Sequence, residues 1–492
     1  MSTATARDTR TVGNVIDGRE APAICARTFE KLSPATGAVL CHVARSDARD
    51  VEAAVRCARD AQPGWARTTV VERGLVLRRI AALLERDAAE VAAVVSAETG
   101  KSPKDALGET GAAIEMGYFV AGEGRRFYAR TTTSAVAHRQ AMTVRQPLGV
   151  AGLIIAANTP IANVAWKVFP ALLCGNAAVL KASEDTPETA NVFARLAAEA
   201  GLPPGVLNVV HGFGEEAGQP LVEHEDVAVV SFTGSTVVGR MIARVAGERL
   251  AKVCLELGGK NPLVVCDDAD LQAAARAAAL SAFSNAGQRC AAGSRVIVFD
   301  GVYDAFRELL LEQTAAQRVG PGDEHDYGPV INARQLERMV DAVEAARARG
   351  AQVIAGGERL RGPGHDGGFY MAPTVVEGVG LDDELACTEL FGPVATLHRV
   401  GSHAEALEAA NSSPYGLTAA IWTASVHRGQ EFLAQVHSGV ASVNGPTYGS
   451  EPHMPFGGLK ASGNGWREAG TEALDVYSDL KTIYVNHDPG LA

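Results

Sequence analysis

Between residues 148 and 265, apolar runs of strand length alternate with helical periodicity. This alternation constrains the fold more than any other feature of the chain. The runs fall at 149–156, 177–181, 206–210, 227–232 and 252–257, with helical segments between them. Continuous apolar runs of this length belong to strands buried on both faces. Alternating β and α at this spacing builds a parallel sheet with helices on each side. A second β/α set runs from 262 to about 441. Its strands include 295–299, 352–355 and 395–400, and its helices include 302–316 and 333–349. With 492 residues the chain has room for two or three such domains.

The flanks read differently. Residues 12–16 and 38–43 read as short strands, with a turn at Asp17-Gly18. From 50 to 98 apolar residues recur at three and four, giving long amphipathic helices, and Thr99-Gly100-Lys101 breaks the pattern before a further helix at 105–126. Two alternating segments, 139–145 and 477–485, have no obvious place in either core and read as strands that leave the body.

Charge and cysteine usage narrow the function classes. Lys plus Arg is 45 and Asp plus Glu is 57, a net charge of −12 with no basic block, which argues against nucleic acid or an anionic membrane as partner. Residues 1–10 are polar and show no signal peptide, and the longest apolar runs are too short to span a bilayer. The eight cysteines show neither CxxC spacing nor a paired framework, which fits reduced thiols in a cytoplasm and no metal site.

Three residues stand where chemistry is done. Cys290 follows Phe283-Ser-Asn-Ala-Gly-Gln-Arg289, on a Gly-containing turn between a helix at 271–282, read as buried, and the strand at 295–299. A thiolate there can attack a carbonyl carbon if its setting is electropositive, which Arg289 and backbone N–H groups can help supply. A lone cysteine is as often a small core residue. Glu256 ends a central strand, where a half-desolvated carboxylate can take a proton from water, although a strand-end Glu is more commonly in a salt bridge. Asn158 ends another strand, and its amide can hold an oxyanion or cap a turn.

In order and spacing, several motifs agree together: Asn158 after a strand, Lys181-Ala-Ser-Glu184-Asp-Thr-Pro187, Phe232-Thr-Gly234-Ser235, Glu256-Leu-Gly-Gly259, Asn285-Ala-Gly-Gln-Arg-Cys290 and Glu389-Leu-Phe391-Gly-Pro393. This series resembles the NAD(P)-dependent aldehyde dehydrogenase superfamily, over about residues 12–484. The resemblance implies an α/β fold: a Rossmann-like NAD-binding domain (1–127 and 148–257), an α/β catalytic domain (258–465), and a small β oligomerisation arm (128–147 and 466–492). It implies a homodimer or homotetramer held together through that arm.

The implied chemistry assigns Cys290 as nucleophile, Asn158 and the Cys290 N–H as oxyanion donors, and Glu256 as the base that activates water against a thioester. Lys167 matches a family lysine near the catalytic asparagine. Lys181 and Glu184 match the pair on the adenine-side ribose, where a carboxylate favours NAD over NADP. Gly212, Gly214, Gly234, Ser235 and Gly239 match loops that approach the pyrophosphate, and Glu389 and Phe391 match residues on the nicotinamide ribose. Trp166, Tyr448 and Phe456 match tunnel positions. Thr159 stands where many relatives carry an aromatic, so the tunnel is wider or more polar. Arg289 stands where many carry a neutral side chain. If it points into the tunnel it can pair with a substrate carboxylate, which implies a semialdehyde; otherwise it pairs with an internal acid. A CoA-acylating enzyme needs no water-activating base, so Glu256 speaks against it. A non-catalytic relative would be expected to lose Cys290, Glu256 or Asn158.

Overall fold

The computed structural model describes residues 10–487 and Gly490. The segment read for a signal peptide lies, apart from Arg10, outside the described residues, as do 488, 489, 491 and 492 of the expected arm.

The first sheet has seven strands. Lys252–Glu256, Val227–Thr233, Val150–Ile154, Ala177–Lys181 and Leu207–Val210 run parallel in that spatial order. The sheet is not wholly parallel: the hairpin Asn14–Ile16 and Arg19–Ala21 adds two antiparallel strands beside Leu207–Val210. Only an edge can take such a hairpin, because Val227–Thr233, Val150–Ile154 and Ala177–Lys181 already pair on both sides; Lys252–Glu256 is the other edge, so the central strand expected to end at Glu256 is corrected to an edge strand. Neighbouring residues of one strand enter opposite cores, as the period of two requires. Leu153 and Leu180 face the helices Val70–Arg86, Pro103–Glu123 and Pro160–Leu173; Ile154 and Val179 face Ala48–Arg67 and Thr236–Glu248.

A second seven-stranded sheet has the order Gln352–Ala355, Thr374–Glu377, Val394–Val400, Gly293–Phe299, Asn261–Val265, Thr418–Trp422 and Val440–Val443. Only Gln352–Ala355 is antiparallel, again at an edge. Helix Leu271–Phe283 covers this sheet with one face only. Ala274, Ala278 and Phe283 are buried but Leu280 is exposed, so the wholly buried helix expected from its small apolar residues is corrected to an amphipathic one.

Ser478–Asn486 pairs antiparallel with Arg139–Pro147 along its length, and Thr131–Thr133 closes a three-stranded sheet. Residues 466–477 lie before this strand and send Ala469, Leu474, Val476 and Tyr477 into the first core. The strand that leaves the body therefore begins at Ser478. No helix among the described residues is long and apolar enough to cross a membrane.

Four residues, 257–260, carry the chain from the C-terminal end of Lys252–Glu256 to the start of Asn261–Val265. The C-terminal edge of one sheet thereby meets the N-terminal edge of the other. Asn158 and Glu256 sit at the first edge and Cys290 at the second.

Candidate active site

The nucleophile loop is built from conformations that most residues avoid. Asn285, Ala286 and Gly287 are successive left-handed residues with φ of 54°, 53° and 65°. Asn and Gly tolerate this region, whereas Ala there costs about 1–2 kcal/mol and persists only where packing imposes it. Packing is close: a Cβ on Gly287 would fall 2.1 Å from the Gly392 carbonyl oxygen. The chain after the turn is clamped. Asn261 Nδ2 donates to the carbonyls of Cys290 and Ala292, both at 2.8 Å. Gln288 accepts from the Ile331 N–H and donates to the Pro329 carbonyl. Thr447 Oγ1 donates to the Ala291 carbonyl at 2.7 Å.

Cys290 is half-buried, and its thiol is pushed up to about 12. Burial is the main cause, followed by the charges of Glu389 and Glu256; the Ala291 N–H and Arg289 oppose it without prevailing. The electropositive setting expected around this thiol is therefore corrected. The charges of two carboxylates act on the thiol, and Arg289 turns its guanidinium over the Tyr448 ring, 4.6 Å from the centroid.

Two donors, one on the nucleophile loop and one on the segment bonded to it, are unengaged. Neither the Cys290 N–H nor Asn158 Nδ2 donates a hydrogen bond among the described residues. The Asn158 amide is oriented by its other end, where Oδ1 lies 3.5 Å from the Asn163 Nδ2 donor. Asn163 also donates to Thr159 Oγ1 at 3.1 Å, so the residue expected to open the tunnel is held from within its own helix turn.

Glu256 is buried, and neither of its oxygens has a hydrogen-bond partner. Gly457 makes room for it: a Cβ there would fall 2.7 Å from Oε1. Burial first, then the charge of Glu468, pushes its pKa well above the usual carboxylate range, against Lys167 and Arg467. Lys167 is fully buried and pairs with Glu468, while Ser231 Oγ donates to the same carboxylate oxygen at 2.7 Å and accepts from Lys167 at 2.8 Å. Nothing in the sequence pointed to Glu468. A buried lysine demands a carboxylate, but Glu468 lies 301 positions from Lys167.

The tunnel residues converge in part. Trp166 meets Phe456 edge-on at 5.5 Å between centroids. Arg289 makes no ion pair among the described residues, so the alternative of an internal acid is not realised, and its Nε is buried without a partner.

A family model described as "Aldehyde dehydrogenase family" matches residues 23–483. The chain belongs to the aldehyde dehydrogenase family. It is an oxidoreductase acting on an aldehyde with a nicotinamide dinucleotide. It is 40% identical over 446 residues to an alpha-ketoglutaric semialdehyde dehydrogenase of Bacillus subtilis, covering 90% of this chain and 91% of that one. It is 38% identical over 439 residues to a 2,5-dioxopentanoate dehydrogenase of Saccharolobus solfataricus, covering 88% and 91%. Among solved structures, a betaine aldehyde dehydrogenase from Staphylococcus aureus in complex with NAD+ superposes with a TM-score of 0.94 at 30% identity, covering 97% of this chain and 96% of that one.

The residues of this aldehyde dehydrogenase fit a dinucleotide. Lys181 ends its strand and donates to Glu184 Oε2 at 3.2 Å. Burial works against a charged Glu184, yet the Lys181 charge and backbone and side-chain hydrogen bonds keep its pKa below the usual value. Ser235 caps helix Thr236–Glu248, whose first turn is open, with Val237 strongly exposed. Such an N-terminus favours phosphate. A Cβ on Gly234 would fall 2.4 Å from the Phe232 ring, and one on Gly239 2.5 Å from Leu257, so both glycines let backbone pass closely. Gly212, with φ of 137°, lies against Ser46, and Gly214 opens the next turn. Glu389 accepts from the Gly259 N–H at 3.0 Å and is pushed up to about 7, mainly by burial. Phe391 takes φ of 59° beside it.

Proposed function

We propose that this enzyme oxidises a semialdehyde carrying a distal carboxylate to the corresponding acid, with NAD as oxidant. The observation that carries the reading is a thiol on a loop tied to Asn158, together with two unengaged donors and one unpaired buried carboxylate whose charge acts on that thiol. Cys290 gives its proton to solvent and its sulfur bonds to the aldehyde carbon. The carbonyl oxygen becomes an oxyanion held by Asn158 Nδ2 and the Cys290 N–H. A bound nicotinamide would supply the acceptor for the hydride of that carbon, so that a thioester would remain on Cys290. Glu256, its proton affinity raised by burial, takes a proton from water. Hydroxide adds to the thioester carbon, the C–S bond breaks, and the acid leaves.

Lys181 and Glu184 would hold the adenine-side ribose, where the Glu184 carboxylate accepts from a 2′-OH and repels a 2′-phosphate. Gly212, Gly214, Gly234, Ser235 and Gly239 would line the pyrophosphate, and Glu389 and Phe391 the nicotinamide ribose. Lys167, held by Glu468, tunes Glu256 by charge. Trp166, Thr159, Tyr448 and Phe456 would line the tunnel, with Arg289 at its charged end.

The substrate reading rests on Arg289, whose Nε is unpartnered beside Tyr448. Two relatives are named for a substrate that is an aldehyde and a carboxylate at once. NADH formation from a carboxylated semialdehyde and from its uncharged analogue tests it: the charged one should have the higher kcat/KM, and equal efficiencies would refute the reading.

The division into nucleotide-binding, catalytic and arm segments belongs to the same proposal. So does a cytoplasmic homodimer or homotetramer, without nucleic acid or membrane partners. It is supported by eight free cysteines and by the edge strand Ser478–Asn486, which leaves Leu480, Tyr484 and Val485 exposed.

A further inference from the structure

Two charged side chains away from the reacting atoms converge on the backbone of residues 158–162. Lys101 and Glu109 are both buried and form an ion pair. A buried pair of this kind is a weak stabiliser, because desolvation offsets the attraction, so its presence calls for another role. Lys101 Nζ also donates to the Asn158 carbonyl at 2.8 Å. Glu109 Oε1 accepts from the N–H groups of Ile161 at 3.0 Å and Ala162 at 3.4 Å. Those donors open helix Pro160–Leu173, whose N-cap Thr159 makes no capping bond of its own. Without Glu109 they would be orphaned. The pair therefore fixes the segment 158–162 from both ends.

The nucleophile loop is tied to the same place. Asn285 Nδ2 donates to the Asn158 carbonyl at 3.4 Å. Gly100, the neighbour of Lys101, lies so close to Gly328 that a Cβ there would fall 2.1 Å from the Gly100 carbonyl oxygen. The next residue, Pro329, accepts from Gln288, two positions before Cys290.

We infer that Lys101 and Glu109 are positioning residues that set the Asn158 amide against Cys290, and so the geometry in which the oxyanion is bound. This rests on the reading of Asn158 as an oxyanion donor.

The test is the rate of the first-turnover NADH burst in a double-mutant cycle. Asn158→Ala alone tests the underlying reading: removal of an oxyanion donor should slow the burst by about 10²–10³-fold, and no slowing would refute that reading. With Asn158 present, Lys101→Met should slow the burst by about 10–10²-fold, the scale of a misplaced catalytic group. The NAD dissociation constant and the rate of Cys290 alkylation by iodoacetamide should stay unchanged. With Asn158→Ala already in place, Lys101→Met should cost no more than about 2-fold further, because coupled residues are not additive. A merely structural lysine would give the same fractional loss in both backgrounds, and that result, or an unchanged burst in the single variant, overturns the inference. Should Lys101→Met fail to fold, Lys101→Met/Glu109→Gln, whose amide oxygen still accepts from Ile161, is put through the same cycle with the same criteria.

Discussion

Helix Pro160–Leu173 and the loop ending at Cys290 face one cleft but treat buried polarity in opposite ways. On the helix side every charge is matched: Lys167 with Glu468, Lys101 with Glu109. On the loop side the Cys290 N–H, Arg289 Nε and both Glu256 oxygens have no partner. A matched buried pair resists displacement, whereas an unmatched group raises the energy of the empty site and gains when substrate or water arrives. On the proposed reading the matched groups are scaffold and the unmatched ones, the Asn158 amide among them, do chemistry. The two should respond differently to mutation.

The largest effect is at the sulfur. Cys290→Ala should abolish NADH formation while NAD binding, followed by titration, stays intact; turnover near the wild-type rate would break the comparison at its centre.

Glu256→Gln comes next. Loss of a general base costs about 10²–10⁴-fold in steady-state turnover. Hydride transfer precedes water attack, so a burst of NADH should survive and mass spectrometry should find the acyl group on Cys290. Since both oxygens are already unpaired, this variant should keep its resistance to urea. Lys167→Met should behave in the reverse way, leaving Glu468 buried without its partner at a cost of about 3–5 kcal/mol in stability. Equal urea midpoints for the two variants would erase the distinction.

pH sharpens the same contrast. A carboxyl held above its usual pKa is protonated at low pH and becomes a base only as pH rises. The deacylation rate should therefore climb with pH, from the direction of the Glu256 shift. The thiol of cofactor-free enzyme, pushed up to about 12, should react with iodoacetamide ever faster beyond pH 9. A Glu256→Gln enzyme should lose the first dependence and keep the second.

The smallest effect is at Arg289. Arg289→Leu should cost about 1–3 kcal/mol in kcat/KM for a carboxylated semialdehyde and little for its uncharged analogue. Equal losses would place Arg289 with the scaffold.

Legibility followed distance along the chain. Cys290, Asn158 and Glu256 stand out as candidates in the sequence because each sits at a strand end or turn that local pattern reveals. In the sequence Lys101 marks only a break between helices and Glu109 carries no signal, because Asn158 lies 57 positions from the one and Ile161 52 from the other. Asn261 was passed over for the same reason: it looks like an ordinary strand start until the Cys290 carbonyl, 29 positions on, is brought to it. Adjacency in sequence, Arg289 to Cys290, does not give electrostatic weight at the thiol. In the fold two carboxylates outweigh the arginine.

By itself the sequence determined the alternation of strand and helix, the short turns that carry the candidate residues, and the set of motifs that place the family. These are local properties, written in periods of two and 3.6 and in the few residues that tolerate left-handed turns. Only the tertiary structure decided which edges take antiparallel strands, which face of Leu271–Phe283 is covered, where Arg289 points, and which buried charges are paired. Those outcomes depend on contacts between segments far apart in the chain, and a carboxylate at position 468 carries no mark of the lysine it will meet.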